Sequence, residues 1–207
     1  MVILSRRAVV VGVALIPLAG CAVPPPEFVS LDYASRADGR FIIPAVPIDQ
    51  VPAGLRRQVV PFETDRPIGS IVIVSGQRSL HWVLEDGYAL RYGIAIGREG
   101  IGWTGEAEIY RRAHWPTWTP TPTMIARDPG LERWAEGQPG GPTNPLGARA
   151  LYLRTLSNGA DQGIRIHGTP SWQSIGRAAS SGCFRMINHD VIDLFDRAPN
   201  GTLVQVR

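Results

Sequence analysis

Cysteine is scarce in this 207-residue chain, with only Cys21 and Cys183. No disulfide framework can hold a small loop-rich fold here, so stability has to come from a packed core. The same scarcity argues against zinc. Cys183 has no second cysteine near it, and His81, His114, His167 and His189 do not follow a His-x-x-x-His or related ligand spacing. No metal and no cofactor is expected. Long apolar runs are missing too: the stretch Ala8 to Ala19 is far short of the ~20 residues a bilayer-spanning helix requires. Charge is also sparse. Charged residues make up 19% and the formal net charge is +3, without the clustered basic face or aromatic ladder of a nucleic-acid binder, although an acidic polymer would be a compatible partner. There is no internal repeat. Against these absences stand 44% apolar residues, enough for one core, and 18 prolines with 23 glycines, which favour turns and short strands over long helices.

The first twenty residues have the organisation of an export signal. Arg6 and Arg7 give a positive start, Ala8 to Ala19 the apolar centre, and the segment is expected to be removed. Ser5-Arg6-Arg7 weakly resembles a twin-arginine signal, and Leu18-Ala19-Gly20-Cys21 looks like a lipoprotein cleavage box, in which Cys21 is acylated and becomes the mature N-terminus. Ala22 rather than aspartate follows it, which by resemblance to bacterial sorting rules favours the outer membrane. The expectation is therefore an exported, periplasmic protein, membrane-anchored through a lipid. If Cys21 is lipidated, Cys183 has no intrachain partner. An unpaired thiol in an oxidising compartment is a liability unless it performs chemistry. Residues 21–67, with Pro24 to Pro26, Pro44, Pro47, Pro52, Pro61 and Pro67, are expected as a proline-rich tether partly ordered against the domain, on which Phe41, Ile42 and Ile43 can dock.

Residues 68–207 form the expected globular domain. Ser70 to Ser75, Ser79 to Leu84 and Ala89 to Ile96 are β-branched or alternating runs, and Asp86-Gly87 is a hairpin turn, so an antiparallel meander is expected. Glu106 to Arg112, Leu151 to Arg154, Gly163 to His167 and Leu203 to Val206 add strands. Asp190 to Arg197 is an amphipathic helix with Val191, Leu194 and Phe195 inward. The fold class is mainly β, sandwich- or barrel-like, with short helices. Between Trp115 and Leu146 periodicity disappears, and a long loop inside a compact domain tends to bind or cover a site. Trp115 to Met124 and the Pro139-Gly140-Gly141-Pro142 turn are its expected walls; the alternative is that these aromatics pack an irregular part of the core.

Residues 164 to 188 carry the chemistry. A thiol with pKa about 8.5 is only slightly ionised at neutral pH, and the thiolate is the nucleophile, so a base must take its proton. Ile164-Arg165-Ile166 alternates as a strand that delivers His167, and Gly168 lets the chain turn sharply, where backbone carbonyls are available acceptors to fix the imidazole tautomer. A short helix is expected over Ser171 to Arg177. Cys183, sixteen positions after His167, follows the small residues Ser180, Ser181 and Gly182, whose backbone N–H groups are candidates for an oxyanion hole. Arg185 either holds a substrate carboxylate or pins the turn, with the structural role favoured. His189 is expected to be a solvated residue at a helix start, and His81 and His114 to be ordinary surface or core residues.

His167-Gly168-Thr169 followed by Ser180-x-Gly182-Cys183-x-Arg185-Met186 resembles the signature of the L,D-transpeptidase catalytic domain (YkuD type), cysteine enzymes that remodel bacterial peptidoglycan. The resemblance extends over Ile96-Gly97-Arg98, Trp115-Pro116-x-Trp118-x-Pro120, Asn144-Pro145-Leu146-Gly147, Leu151-Tyr152-Leu153 and Gly201-Thr202. Many members have histidine where this chain has Ser181, a change that alters the cleft lining and leaves the base at His167. The resemblance implies Cys183 as nucleophile, His167 as base, oxyanion or orienting roles for Gly182, Gly168, Ser181 and Arg185, and substrate contacts from Trp115, Trp118 and Thr169. It implies attack on the third residue of a tetrapeptide stem, release of D-alanine, and transfer to an amine. Two other classes stay open: a cysteine peptidase trimming wall peptides, against which the histidine-first order argues, and a non-catalytic wall-binding lipoprotein with an inert Cys183.

Overall fold

A computed structural model describes residues 32–97, 102–179 and 183–207. Cys21, Ser181, Gly182 and the whole expected leader lie outside the described residues. The strands in chain order are β1 (Arg36–Asp38), β2 (Phe41–Ile43), β3 (Gln58–Pro61), β4 (Ile71–Val74), β5 (Ser79–Val83), β6 (Tyr88–Gly93), β7 (Ala95–Gly97), β8 (Gly105–His114), β9 (Arg149–Thr155), β10 (Arg165–Thr169), β11 (Ala178–Ala179), β12 (Phe184–Ile187) and β13 (Leu203–Val206). Two α-helices accompany them, α1 (Pro122–Arg127) and α2 (Asn188–Arg197).

The fold is mainly β, as composition and patterning required. β4, β5 and β6 form the expected meander, and its tight turn works because Asp86 and Gly87 both take positive φ, 57° and 74°, the geometry whose twist matches that of paired strands. Eleven strands make one mixed sheet in the order β11-β7-β12-β10-β9-β8-β13-β4-β5-β6-β3. A sheet this long must curl to bury its apolar face. It does so around one core to which Ile71, Leu80, Tyr92, Ile109, Leu151, Ile166 and Phe184 all contribute. Helix α2 closes that core with Val191, Leu194 and Phe195, the three positions its periodicity selects.

Several expectations change. The run Ala89 to Ile96 is two strands, β6 and β7, that pair with different neighbours. The expected helix over Ser171 to Arg177 shrinks to a 3-10 turn, Trp172–Ser174, with no side-chain cap from Ser171. The proline-rich segment contributes structure where it is described. β3 is an edge strand paired with β6, and β1–β2 is a hairpin with Ile43 buried at 1% exposure. This segment covers α2: Tyr33 donates to Asp190 Oδ1 at 2.6 Å, and Arg57 lies between Asp190 (3.6 Å) and Asp193 (3.3 Å). His189 is consequently buried rather than solvated, with Nε2 donating to the Ala34 carbonyl at 2.9 Å. Its sequence neighbours are polar, and only the distant strap over it excludes water.

Candidate active site

β10 and β12 run parallel, with His167 opposite Arg185 and Ile166 opposite Phe184. Side chains alternate between the two faces of a sheet. Ile166, Phe184 and Met186 therefore enter the core, while Arg165, His167 and Arg185 share the other face and line the same cleft as Cys183, the residue just before β12, whose side chain also touches the core. A crossover connection is what makes this possible. The chain leaves β10, passes the 3-10 turn and β11, and returns alongside β10 in the same direction, bringing two residues sixteen positions apart to one end of adjacent strands.

A cleft of about 440 Å³ opens on that face, lined by Cys183, His167 and Arg185, by Tyr110, Arg111 and Tyr152, and by Asp161 to Gly163 with Arg165. Its far wall comes from the segment after β8, through Thr117, Trp118, Thr119, Thr121 and Met124, and from Pro145 and Leu146. That segment is more ordered than a bare loop. Thr121 caps α1 by accepting from the Met124 amide, and Trp118 and Gln138 form a β-bridge. Buried Asn144 ties the two ends, its Nδ2 within 3.1 Å of the carbonyls of Pro116, Gln138 and Pro139 and its Oδ1 accepting from Leu146 N.

His167 is almost fully buried, at 2% exposure. Its Nδ1 donates to the Gly168 carbonyl at 2.7 Å, which leaves Nε2 as the basic nitrogen, and no protein atom among the described residues hydrogen-bonds to it. Burial, with smaller contributions from the positive charges of Arg185 and Arg165, pushes the imidazole down to about 4 against the favourable pull of the Gly168 carbonyl. At neutral pH His167 is therefore an unprotonated base. The Cys183 thiol, 2% exposed, donates to the Gly163 carbonyl at 3.4 Å. Gly168 has a steric reason to be glycine, since a Cβ there would collide with Asn188 Oδ1. That same oxygen accepts from Ala148 N at 3.0 Å, so Asn188 ties the start of α2 to the residue before β9. Among the described residues no group of three or more His, Cys, Asp or Glu side chains gathers in a metal-binding cluster.

The structure brings together Cys183, His167, Arg185, Trp118 and the Gly168 carbonyl. It does not bring Trp115 or Thr169 into the cleft wall. Trp115 packs on Phe41, with ring centroids 4.7 Å apart, and its Nε1 donates to Asp38 at 2.8 Å. Thr169 is buried and its hydroxyl accepts from Ser171 N. The Pro139–Pro142 turn likewise packs under Trp115 and Phe41, where a Cβ on Gly140 would collide with the Trp115 carbonyl. Sequence reading missed Arg111, Tyr110, Asp161 and Gly163 as cleft residues, and Asn144 and Asn188 as its ties. Only Arg165 carried a signal, because alternation in its strand puts it on the His167 face.

Comparison with known proteins agrees with this geometry. The family model of the YkuD L,D-transpeptidase catalytic domain matches residues 69–206. A putative L,D-transpeptidase from Fuscovulum blasticum is 33% identical over 86% of this chain and 94% of its own length. The probable L,D-transpeptidase YbiS of Escherichia coli is 40% identical over 54% of this chain but only 35% of its own length. Among solved structures, that of a probable carnitine operon oxidoreductase CaiA from Brucella melitensis is 46% identical and covers 75% of this chain and 96% of that one, with a TM-score of 0.52. With a family match over two-thirds of its length, a thiol and a buried imidazole on adjacent strands, and relatives named for the same activity, this chain belongs to the L,D-transpeptidase catalytic-domain family.

Proposed function

We propose that the protein is an exported transferase that uses Cys183 to take the acyl group of a peptidoglycan tetrapeptide stem. His167 Nε2 removes the thiol proton as sulfur attacks the carbonyl carbon of the third residue, a diaminopimelate. The bond from that carbon to the terminal D-alanine nitrogen breaks, and the proton passes from His167 to the departing amine. A thioester remains on Cys183. An amine on a neighbouring stem or a wall-anchored protein then adds to the carbonyl and gives a proton to His167; the carbon–sulfur bond breaks, and the imidazolium returns the proton to the thiolate. The backbone N–H groups of Gly182 and Cys183 are assigned to the oxyanion, with Ser181 beside them. Residues 1–20 are assigned as a cleaved leader and Cys21 as the lipid-bearing residue that holds the domain at the outer membrane.

The observation that supports this reading is the pairing of His167 Nε2, buried and without a protein hydrogen-bond partner among the described residues, with the Cys183 thiol in the same cleft. His81 and His189 also keep one buried ring nitrogen without a partner among the described residues, so what sets His167 apart is that its free nitrogen belongs to the cleft that Cys183 lines. Incubating the protein with tetrapeptide-bearing wall fragments and weighing protein and products tests the proposal. The expected result is a covalent adduct that lacks D-alanine, absent in Cys183→Ala, and cross-linked products exceeding hydrolysed ones. Adducts equally abundant in Cys183→Ala overturn it, and release of trimmed tripeptide alone reassigns the protein as a carboxypeptidase.

A further inference from the structure

The register of the sheet sets a row of three side chains across the cleft floor. Arg111 on β8 pairs with Tyr152 on β9, and Tyr152 pairs with Arg165 on β10. Both guanidinium carbons lie over the Tyr152 ring, Arg111 at 3.9 Å and Arg165 at 5.2 Å from its centroid. The ring is 5% exposed and cannot swing away. Arg111 joins the row because of a β-bulge: the pairing shifts between Ile109 and Arg111. Strict alternation from Ala107 and Ile109, both core residues, would have sent residue 111 inward. The extra residue, Tyr110, re-aims the strand, a known use of bulges beside functional sites.

Charge in the cleft is unbalanced. Three guanidiniums line it, Arg111, Arg165 and Arg185, against one carboxylate, Asp161. Both Asp161 oxygens are already engaged, Oδ2 by the Tyr110 hydroxyl at 2.6 Å and Oδ1 by the Gly163 amide at 2.7 Å. Neither Arg111 nor Arg165 is in an ion pair among the described residues, whereas Arg57, Arg66, Arg149, Arg154 and Arg197 are. Arg165 donates one bond, from Nη1 to the Gly163 carbonyl at 2.9 Å, the carbonyl that also receives the Cys183 thiol. Two cations held over one ring repel each other, and stacking leaves the N–H edges of a guanidinium available for a planar anion. We infer that Arg111 and Arg165, aligned by Tyr152, form a carboxylate-binding subsite beside Cys183 that makes the enzyme select donor peptides carrying a free carboxylate near the scissile bond.

This inference rests on the proposed acyl-transfer reading and deepens it by naming what the donor must carry. A donor stem has two carboxylates within reach of the scissile bond, the side-chain carboxylate of the residue that becomes the thioester and the terminal carboxylate of the residue that leaves. Two donor tetrapeptides, each with one of these converted to carboxamide, separate the sources. For the wild type and Arg111→Gln, kcat/KM is measured on the parent peptide and both carboxamides, and binding of the same three is measured calorimetrically on Cys183→Ala with and without Arg111→Gln. The wild type is expected to prefer the parent over one carboxamide by about 10- to 100-fold, the range for a charge-assisted contact, and Arg111→Gln to collapse that ratio toward one. Ratios are taken within each protein, so a partly folded variant does not distort them. Arg111→Lys, which keeps charge but loses the planar fork, should fall between. A Cys183→Ala protein that binds all three peptides equally, or an Arg111→Gln substitution that leaves the ratio unchanged, overturns the subsite. Selective binding without turnover leaves the subsite standing and sinks the acyl-transfer reading alone.

Discussion

Replacing Asp38 by asparagine should destabilise the domain and loosen the cleft wall together. Asp38 ends β1 and receives Arg149 through Nη1 at 2.6 Å and Nη2 at 2.8 Å, and its Oδ2 also accepts Trp115 Nε1. The Arg149 side chain is 5% exposed and that of Asp38 19%, so the substitution leaves a buried guanidinium without its counter-charge. Breaking such a pair costs about 3–5 kcal/mol, and the water that reaches Asp38 puts this case at the lower end, about 3 kcal/mol. For a chain of this size that is a fall in Tm of about 6–12 °C. The Arg149 guanidinium holds the Asp38 carboxyl below its ordinary value. A depressed carboxylate contributes stability that is full above the unfolded-state value of about 3.9 and is lost as pH falls through the folded-state value. The gap between wild type and Asp38→Asn should therefore be widest at neutral pH and close as pH drops below about 4. Trp115 has a φ of 42° at the junction between β8 and the cleft segment, so loss of its hydrogen bond should also lower kcat on wall peptides. Scanning calorimetry across pH tests the first part and turnover the second. A fall in Tm under about 3 °C, or a gap that does not change with pH, refutes the reasoning.

Three further outcomes follow from the site. His167→Gln should lower the rate of acyl-enzyme formation by about 10²- to 10⁴-fold, the usual contribution of a positioned base; single-turnover mass spectrometry with unchanged kinetics would remove His167 from that role. His167 is also held well below its ordinary value, so the unfolded chain takes up a proton between about pH 6.5 and 4 that the folded one refuses, and stability falls as pH drops through that window. Urea denaturation of wild type against His167→Gln should show a shallower acid slope in the variant, and identical slopes would contradict the burial argument. Asn144→Ala strips one side chain from three carbonyls and an amide and should cost about 2–4 kcal/mol, with protease cleavage appearing first between residues 115 and 147. Cleavage spread evenly over the chain would show that Asn144 does not tie that segment.

The residue types and their order were legible in the sequence. Alternation identified β4, β5, β10 and β13, the Asp86-Gly87 pair fixed a hairpin, and the three inward positions of α2 followed from helical periodicity. These are local consequences of side-chain geometry, and they need no knowledge of which strand lies beside which. The histidine-then-cysteine order, the small residues before Cys183 and the glycine after His167 were also enough to name the chemistry and its family. Trp115 and Thr169 misled because a motif says which residues recur near a site, without saying which way they face. His189 misled because the strap that buries it, from Tyr33 to Arg57, lies more than 130 residues upstream.

What the sequence determined by itself is a thiol, an imidazole and the strands that carry them. The fold alone decided that both line one cleft, through the parallel pairing of β10 with β12, and that Arg111 stands with them, through a one-residue bulge that reverses the alternation of β8. Pairing and register are set by which strands meet across the sheet, and that is a property of contacts distant in the chain, where a shift of one residue exchanges the two faces.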